Sequence, residues 1–318
     1  MEYSLLKVHG SKNTFYLLEA EDRDWSALAM QVCALDADAD GLLVVSPSKD
    51  HDAKMRVFNR DGSEASMCGN GLRCVARYVC ERDEVNSAVI ETMKAALHVR
   101  KEQELGEGIP TYAVEISPVL FNLSALPMRF DDKEELQGER LPFMEDDIAF
   151  TAVAVPNPHL IGIVSPEYQS SSAHQEEWAS YFNGDNPYFL DGVNVSYVTP
   201  VEDGIFVRTF ERGVGFTNAC GTAMTASALV SVLTGHADFG EVTVYNPGGM
   251  VKCTVREEGD SFALELKGNA TFLSAHVFEW SEENGSGKFL REEMRGEQEK
   301  YDHFSEEVIK RSRELFVK

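Results

Sequence analysis

Two Cys-Gly dipeptides stand out in the 318-residue sequence because each follows an Arg-x-Phe-x-Arg segment at the same distance. Arg56, Phe58, Arg60, Cys68 and Gly69 recur as Arg208, Phe210, Arg212, Cys220 and Gly221, each 152 positions later. In both places the dipeptide opens a helix-like run, GNGLRCVARYVCERD and GTAMTASALVSVLTG, after alternating strand-like residues. A cysteine at a helix start lies against unpaired N–H groups and the positive end of the helix dipole. Its thiolate is therefore expected to be favoured, with a pKa below the usual value of about 8.5. The same N–H groups form an anion site. Two such helix starts aimed at one substrate would hold a carboxylate and place one sulfur on each face of the neighbouring carbon. That arrangement can invert a stereocentre, one thiolate removing a proton while the opposite thiol supplies another.

The α-proton of an amino acid is very weakly acidic, and the usual remedy is a pyridoxal phosphate Schiff base. The sequence offers no convincing lysine context for that cofactor, and a dry pocket lined with preorganised N–H donors is the physical substitute. No cofactor is expected. Neither is a metal: there is no CxxC pair and no HExxH, and Cys68, Cys74 and Cys80, six residues apart, would point in different directions on a helix. The repeat also breaks its own symmetry. Asn59 in the first copy corresponds to Glu211 in the second, so only one copy offers a carboxylate suited to a substrate ammonium. Arg212 is a candidate bidentate clamp for a carboxylate. Asn13, Asn157 and Asn194 can serve either end of a zwitterion, and His159 either assists proton transfer or caps a strand end.

These residues need elements to carry them. The repeat implies two α+β halves related by a pseudo-twofold axis. The second Cys-Gly helix carries almost no charge on any face, which implies burial all round and a sheet wrapped about it, and Gly235 is its expected stop. The segment Phe121 to Asp147, charged and containing Pro127 and Pro142, reads as the connection between halves. From about Glu282 onward a polar stretch leads into charges alternating with Phe304, Val308 and Leu315 at helical spacing, an amphipathic surface or dimer-contact helix.

A chain this long, 43% hydrophobic, can bury a sizeable core and is expected to form two domains. Its formal charge of −24, from 53 acidic and 29 basic residues, opposes binding to nucleic acid or anionic membranes. Six cysteines are too few for a disulfide scaffold, and no stretch has signal-peptide or membrane-spanning character, so a cytoplasmic protein acting on a small molecule is expected. A thiol redox protein would also use two activated cysteines, but no resolving-cysteine motif accompanies them.

The segments MCGNGLRC (Met67 to Cys74) and ERGVGFTNACGT (Glu211 to Thr222) resemble the two signatures of the diaminopimelate epimerase family. DGSEASMCGNG, PNPH from Pro156 to His159 and GVNV from Gly192 to Val195 match in the same order, over nearly all of residues 1 to 280. Proline racemases, similar in architecture, usually carry His where this chain has Asn70. The resemblance implies Cys68 and Cys220 as the acid/base pair, with backbone amides around Gly69, Asn70, Gly221 and Thr222 on the reacting carboxylate. It puts Glu211 on the ammonium with His159 nearby, and Asn13, Asn59, Asn157, Asn194 and Arg212 on the rest of the substrate. It further implies a homodimer of two similar domains, each a mostly antiparallel sheet round a central helix, at 1–123 plus about 267–281 and at 124–266. The last strand, near Ala270 to Trp280, would return to the first domain, with a charged helical tail at 282–318. The implied activity interconverts LL- and meso-diaminopimelate for lysine and peptidoglycan synthesis. Thr14, Gly41 and Ala223 depart from the family pattern, the first two where substrate ends are sorted. A racemase of another amino acid, such as histidine, is the alternative on the same fold.

Overall fold

The hairpin that opens the chain shows how local chemistry sets up the rest. Strand β1 (Glu2–Gly10) and strand β2 (Asn13–Glu19) pair antiparallel with Gly10 opposite Asn13. The two residues between them, Ser11 and Lys12, both have left-handed backbones (φ 54° and 65°), the conformation of a two-residue hairpin turn. Neither is glycine, so the turn needs outside support. Asn269 Oδ1 accepts from Ser11 N–H, His9 Nδ1 accepts from Lys12 N–H, and Arg73 Nη2 donates to Ser11 Oγ. Asn13 is thereby fixed as the first residue of β2.

A computed structural model describes residues 1–130, 132–141, 143–144 and 148–314, so Pro142, Asp147 and Leu315 of the sequence reading lie outside it. After β2 come α1 (Ser26–Leu35), β3 (Gly41–Ser46), β4 (Ala53–Asn59), β5 (Glu64–Ala65), α2 (Gly69–Arg82), β6 (Ser87–Glu91), β7 (Ala96–Glu102) and β8 (Thr111–Glu115). A 3-10 turn at Leu123–Ala125 precedes β9 (Glu139–Arg140), β10 (Ala149–Val155), β11 (Asn157–Ile163), α3 (Glu167–Ser170), α4 (Ala173–Asn183), β12 (Asn194–Val201), β13 (Gly204–Glu211) and β14 (Gly215–Thr217). The chain ends with α5 (Gly221–Leu233), β15 (Gly240–Asn246), β16 (Gly249–Glu258), β17 (Ser261–Asn269), β18 (Thr271–Ser281), β19 (Ser286–Met294) and α6 (Glu297–Glu314). By contacts the chain divides into one unit of residues 1–115 and 267–304 and another of 116–266 and 305–318.

In the first unit the strands run β19, β18, β1, β2, β3, β4, β6, β7, β8, antiparallel except for the β2–β3 and β4–β6 pairs. Each parallel pair needs a crossover, supplied by α1 and α2. Helix α2 touches β1, β2, β3, β4, β6, β7 and β8, so the sheet wraps it. Trp25, Leu28, Val32, Leu42, Val44, Phe58 and Phe278 close a second core on the sheet's other face, beneath α1. In the second unit the order is β9, β10, β11, β12, β13, β15, β16, with β11–β12 and β13–β15 parallel, and α5 touches β10, β11, β12, β13, β15 and β16. The two units therefore repeat one topology. Every residue of α5 from Gly221 to Val232 is buried, as its lack of charge implies, and Thr225 and Ser231 satisfy their hydroxyls on carbonyls four residues back. Gly235 ends the run at φ 73°.

Two expectations are corrected. The stretch from Phe121 is not a bare connection: Leu123, Leu126, Met128, Phe130, Leu136, Leu141 and Met144 lie in the core of the second unit. Its charges among the described residues lie on the solvent side of a wrapped segment, while its spaced apolar residues follow no helix or strand period. The tail expected to be helical from 282 to 318 first forms strand β19, because Gly285 (φ 55°) turns the chain and Phe289 packs across Phe278 at 4.9 Å. Helix follows only from Glu297, which clasps buried Arg77 through two N–H···O bonds of 2.6 and 2.8 Å.

Candidate active site

The first half-site begins at Cys68, the N-cap of α2, whose extended backbone (φ −143°, ψ 110°) turns its Sγ back to accept from Gly71 N–H at 3.4 Å. Gly71 leaves room there, since a Cβ would lie 2.7 Å from Leu43 Cδ2 and push that side chain aside. Cys68 Sγ–H donates to Asn13 Oδ1 at 3.6 Å, and Asn70 Nδ2 donates to the same oxygen at 3.4 Å. The other end of the Asn13 amide, Nδ2, donates to Asp40 Oδ2 at 2.7 Å, which also accepts Thr14 N–H at 2.8 Å. Asn59 ends β4 in register with Gly41, and its Nδ2 donates to Ser63 Oγ at 3.0 Å. Asn13, Cys68 and Asn70 thus meet in one cluster. Asp40 joins them; sequence reading passed over it because only the pairing of the β2 start with the residue before β3 brings it to Asn13.

The second half-site is built on Cys220, the N-cap of α5, with φ −107° and ψ 111°. Its Sγ lies 3.5 Å from Thr222 Oγ1. The expectation of a lowered thiol pKa fails here. Burial first, and then the Glu211 carboxylate, push the Cys220 thiol well above its ordinary range, against smaller opposing contributions from Thr222 and the Ala223 amide. Desolvation and a like charge outweigh the helix start. Thr217, also missed from sequence, donates its hydroxyl to Glu211 Oε1 and anchors the carboxylate. Asn194 Oδ1 accepts from Arg212 N–H at 2.9 Å, and Arg212 Nη1 donates to Asp191 O at 2.8 Å. Asn157 opens β11, as Asn13 opens β2, and His159 pairs in register with Asn194.

His159 is fully buried, and neither ring nitrogen meets a hydrogen-bond partner among the described residues. Burial, with Arg212 adding to it, drops its pKa to about 3, so the ring is neutral. His9, buried under the β1–β2 turn, is lowered to about 4, again chiefly by burial. Both fold as neutral rings that an unfolded chain would protonate near pH 6.5, so stability is complete above that pH and is lost as pH falls toward the folded values. At about 1.4 kcal/mol per pH unit, each histidine is expected to cost about 3 kcal/mol by pH 4. Urea unfolding from pH 7 to 4.5 should show this slope, flattened in His159→Gln; NMR signals assigned to His9 or His159 titrating near 6.5 in the folded protein would contradict it.

Among the described residues, no group of three or more His, Cys, Asp or Glu is placed to hold a metal ion.

The sequence matches the family described as diaminopimelate epimerase over residues 5–109 and 151–273. Relatives named diaminopimelate epimerase include one from Listeria innocua, 46% identical over 95% of each chain. Another, from Enterococcus faecalis, is 46% identical over 88% of this chain and 90% of its own. The fold is shared with a Bacillus anthracis phenazine biosynthesis protein of the PhzF family (TM-score 0.65, 14% identity, 87% of this chain and 99% of that one). It is shared also with a hydroxyproline epimerase from Agrobacterium vitis (TM-score 0.58, 13% identity, 87% and 90%). The family match and these relatives place the chain among the isomerases, as an epimerase. The chain belongs to the diaminopimelate epimerase family.

Proposed function

We propose that the protein interconverts LL- and meso-diaminopimelate with two thiols and no cofactor, as its relatives' names suggest. The observation that carries this reading is that Cys68 and Cys220 each cap a central helix in two units of one topology. One sulfur removes the α-proton from one face as thiolate, and the other, as thiol, delivers a proton to the opposite face, so that the pair exchanges protonation states in each turnover. Amides at Gly69-Asn70 and Gly221-Thr222 take the charge that develops on the carboxylate. The substrate ammonium pairs with Glu211 and so cancels the negative charge that helps hold the Cys220 proton, readying that thiol only when substrate is bound. His159 lends an uncharged ring to the site, while Asn13, Asn59, Asn157, Asn194 and the Arg212 fork hold the remainder of the substrate. A cytoplasmic homodimer serving lysine and peptidoglycan synthesis fits this reading, and no helix among the described residues is long and apolar enough to cross a membrane.

The test is incubation of purified protein with LL-diaminopimelate in D₂O without added pyridoxal phosphate or metal. Deuterium should enter at one Cα as the meso isomer accumulates. Absence of exchange, or exchange that EDTA abolishes, would overturn the proposal. Faster racemisation of histidine would replace the substrate and keep the chemistry.

A further inference from the structure

An asparagine beside a thiol can present either end of its amide, and the two ends have opposite effects. A carbonyl oxygen accepts from S–H and keeps the sulfur protonated, whereas an NH₂ group donates to sulfur and favours thiolate. At Cys68 the choice is forced from behind. An ionised carboxylate oxygen can only accept, and Asp40 Oδ2 already receives the fixed backbone N–H of Thr14 at 2.8 Å. The end of Asn13 that faces it at 2.7 Å must therefore be Nδ2, which leaves Oδ1 turned toward Cys68 Sγ and Asn70 Nδ2. Asp40 is itself held by backbone bonds, its N–H donating to Thr14 O at 2.7 Å and its carbonyl accepting from Arg60 N–H at 2.9 Å.

The second unit has no such device. Phe58 pairs with Leu42 as its counterpart Phe210 pairs with Val195, so the residue equivalent to Asp40 is Val193, an apolar side chain. There the carboxylate is Glu211, whose charge acts directly on Cys220. One sulfur thus meets a carboxylate directly, and the other meets one through an intervening amide.

We propose that Asp40 is a positioning residue that locks the Asn13 amide with its oxygen toward Cys68, so that this thiol keeps its proton and aims it along a fixed direction. The functional part of this inference rests on the epimerase reading; the part concerning Cys68 reactivity does not.

The test compares the parent with Asp40→Asn, Asp40→Ala and Asn13→Ala. Each protein is alkylated with iodoacetamide at pH 7, with modification at every cysteine followed by peptide mass mapping. Removing the lock or the oxygen should speed alkylation of Cys68 roughly tenfold, as thiolate character rises, and leave Cys220 unchanged. Asp40→Asn should behave like the parent, because its amide oxygen can accept from both Asn13 and Thr14. In the epimerase assay Asp40→Ala should lower kcat roughly tenfold or more with little change in KM, and Asp40→Asn should restore it. Should Asp40→Ala fail to fold, Asn13→Ala, which leaves the Asp40–Thr14 bond intact, carries the alkylation test. Unchanged Cys68 alkylation in folded Asp40→Ala or Asn13→Ala would overturn the proposal, as would Asp40→Asn matching the alanine variant. If no variant or parent epimerises diaminopimelate but the alkylation pattern holds, the substrate assignment falls and the positioning role stands.

Discussion

Cys68→Ala and Cys220→Ala are each expected to lower epimerisation by about 10²–10⁴-fold while the protein remains folded, because each face of the reacting carbon needs its own acid or base. The four other cysteines supply the control. Burial pushes the thiols of Cys33 and Cys80 up to about 11 and that of Cys74 up to about 12, so they stay protonated at neutral pH. Cys253 is fully buried, with its Sγ–H donating to Thr225 Oγ1 at 3.8 Å. Alanine at any of these four positions should leave turnover close to that of the parent. A folded but inactive Cys74→Ala protein, by circular dichroism and activity assay, would count against the assignment.

Gly41→Gln is expected to damage the protein, because Gly41 lies where two strands approach closely. A Cβ built on Gly41 would lie 2.3 Å from the carbonyl oxygen of Phe58 and 3.4 Å from Asn59 Cα, and backbone cannot yield as a flexible side chain can. The β3–β4 pairing would have to open at the position that also carries Asn59, next to Asp40. Overpacking of this kind costs about 1–3 kcal/mol, seen as a lower melting temperature, with a loss of activity beyond it as Asp40 and Asn59 shift. A variant as stable as the parent that epimerises faster would show that the strand spacing here is wrong. The departure at Gly41 is therefore a matter of how closely two strands approach, and its counterpart in the second unit by register, Asn194, has its amide oxygen on Arg212 N–H.

How much could be seen beforehand follows from the range of each signal. The Cys-Gly helix starts were legible because the repeat places rare residues at fixed spacing, and the burial of α5 because a helix without charge has no face to give to water. Asp40 was not, since its role depends on register between the start of β2 and the residue before β3. The raised Cys220 thiol was not, because helix-start chemistry is local while desolvation is set by everything packed around it. The β19 strand was hidden by charge: Lys288, Arg291, Glu292 and Glu293 suggest a solvated helix unless one knows that Phe289 meets Phe278. Asn157 and His159 were legible as candidates from their residue types, but the ring's complete burial without a hydrogen-bond partner among the described residues belongs to the fold.

The pairing of β1 with β18 has a consequence for how the chain is made. Glu2 lies opposite Glu279 and His9 opposite Thr271, and the β1–β2 turn leans on Asn269. A ribosome releases the start of this unit long before those partners exist, whereas residues 116–266 of the other unit are contiguous and can pack as they emerge. The half synthesised first thus waits for residues 267–304, made after the bulk of the other half, and a nascent chain stalled before Asn269 would carry a Cys68 helix whose neighbouring hairpin still lacks its support.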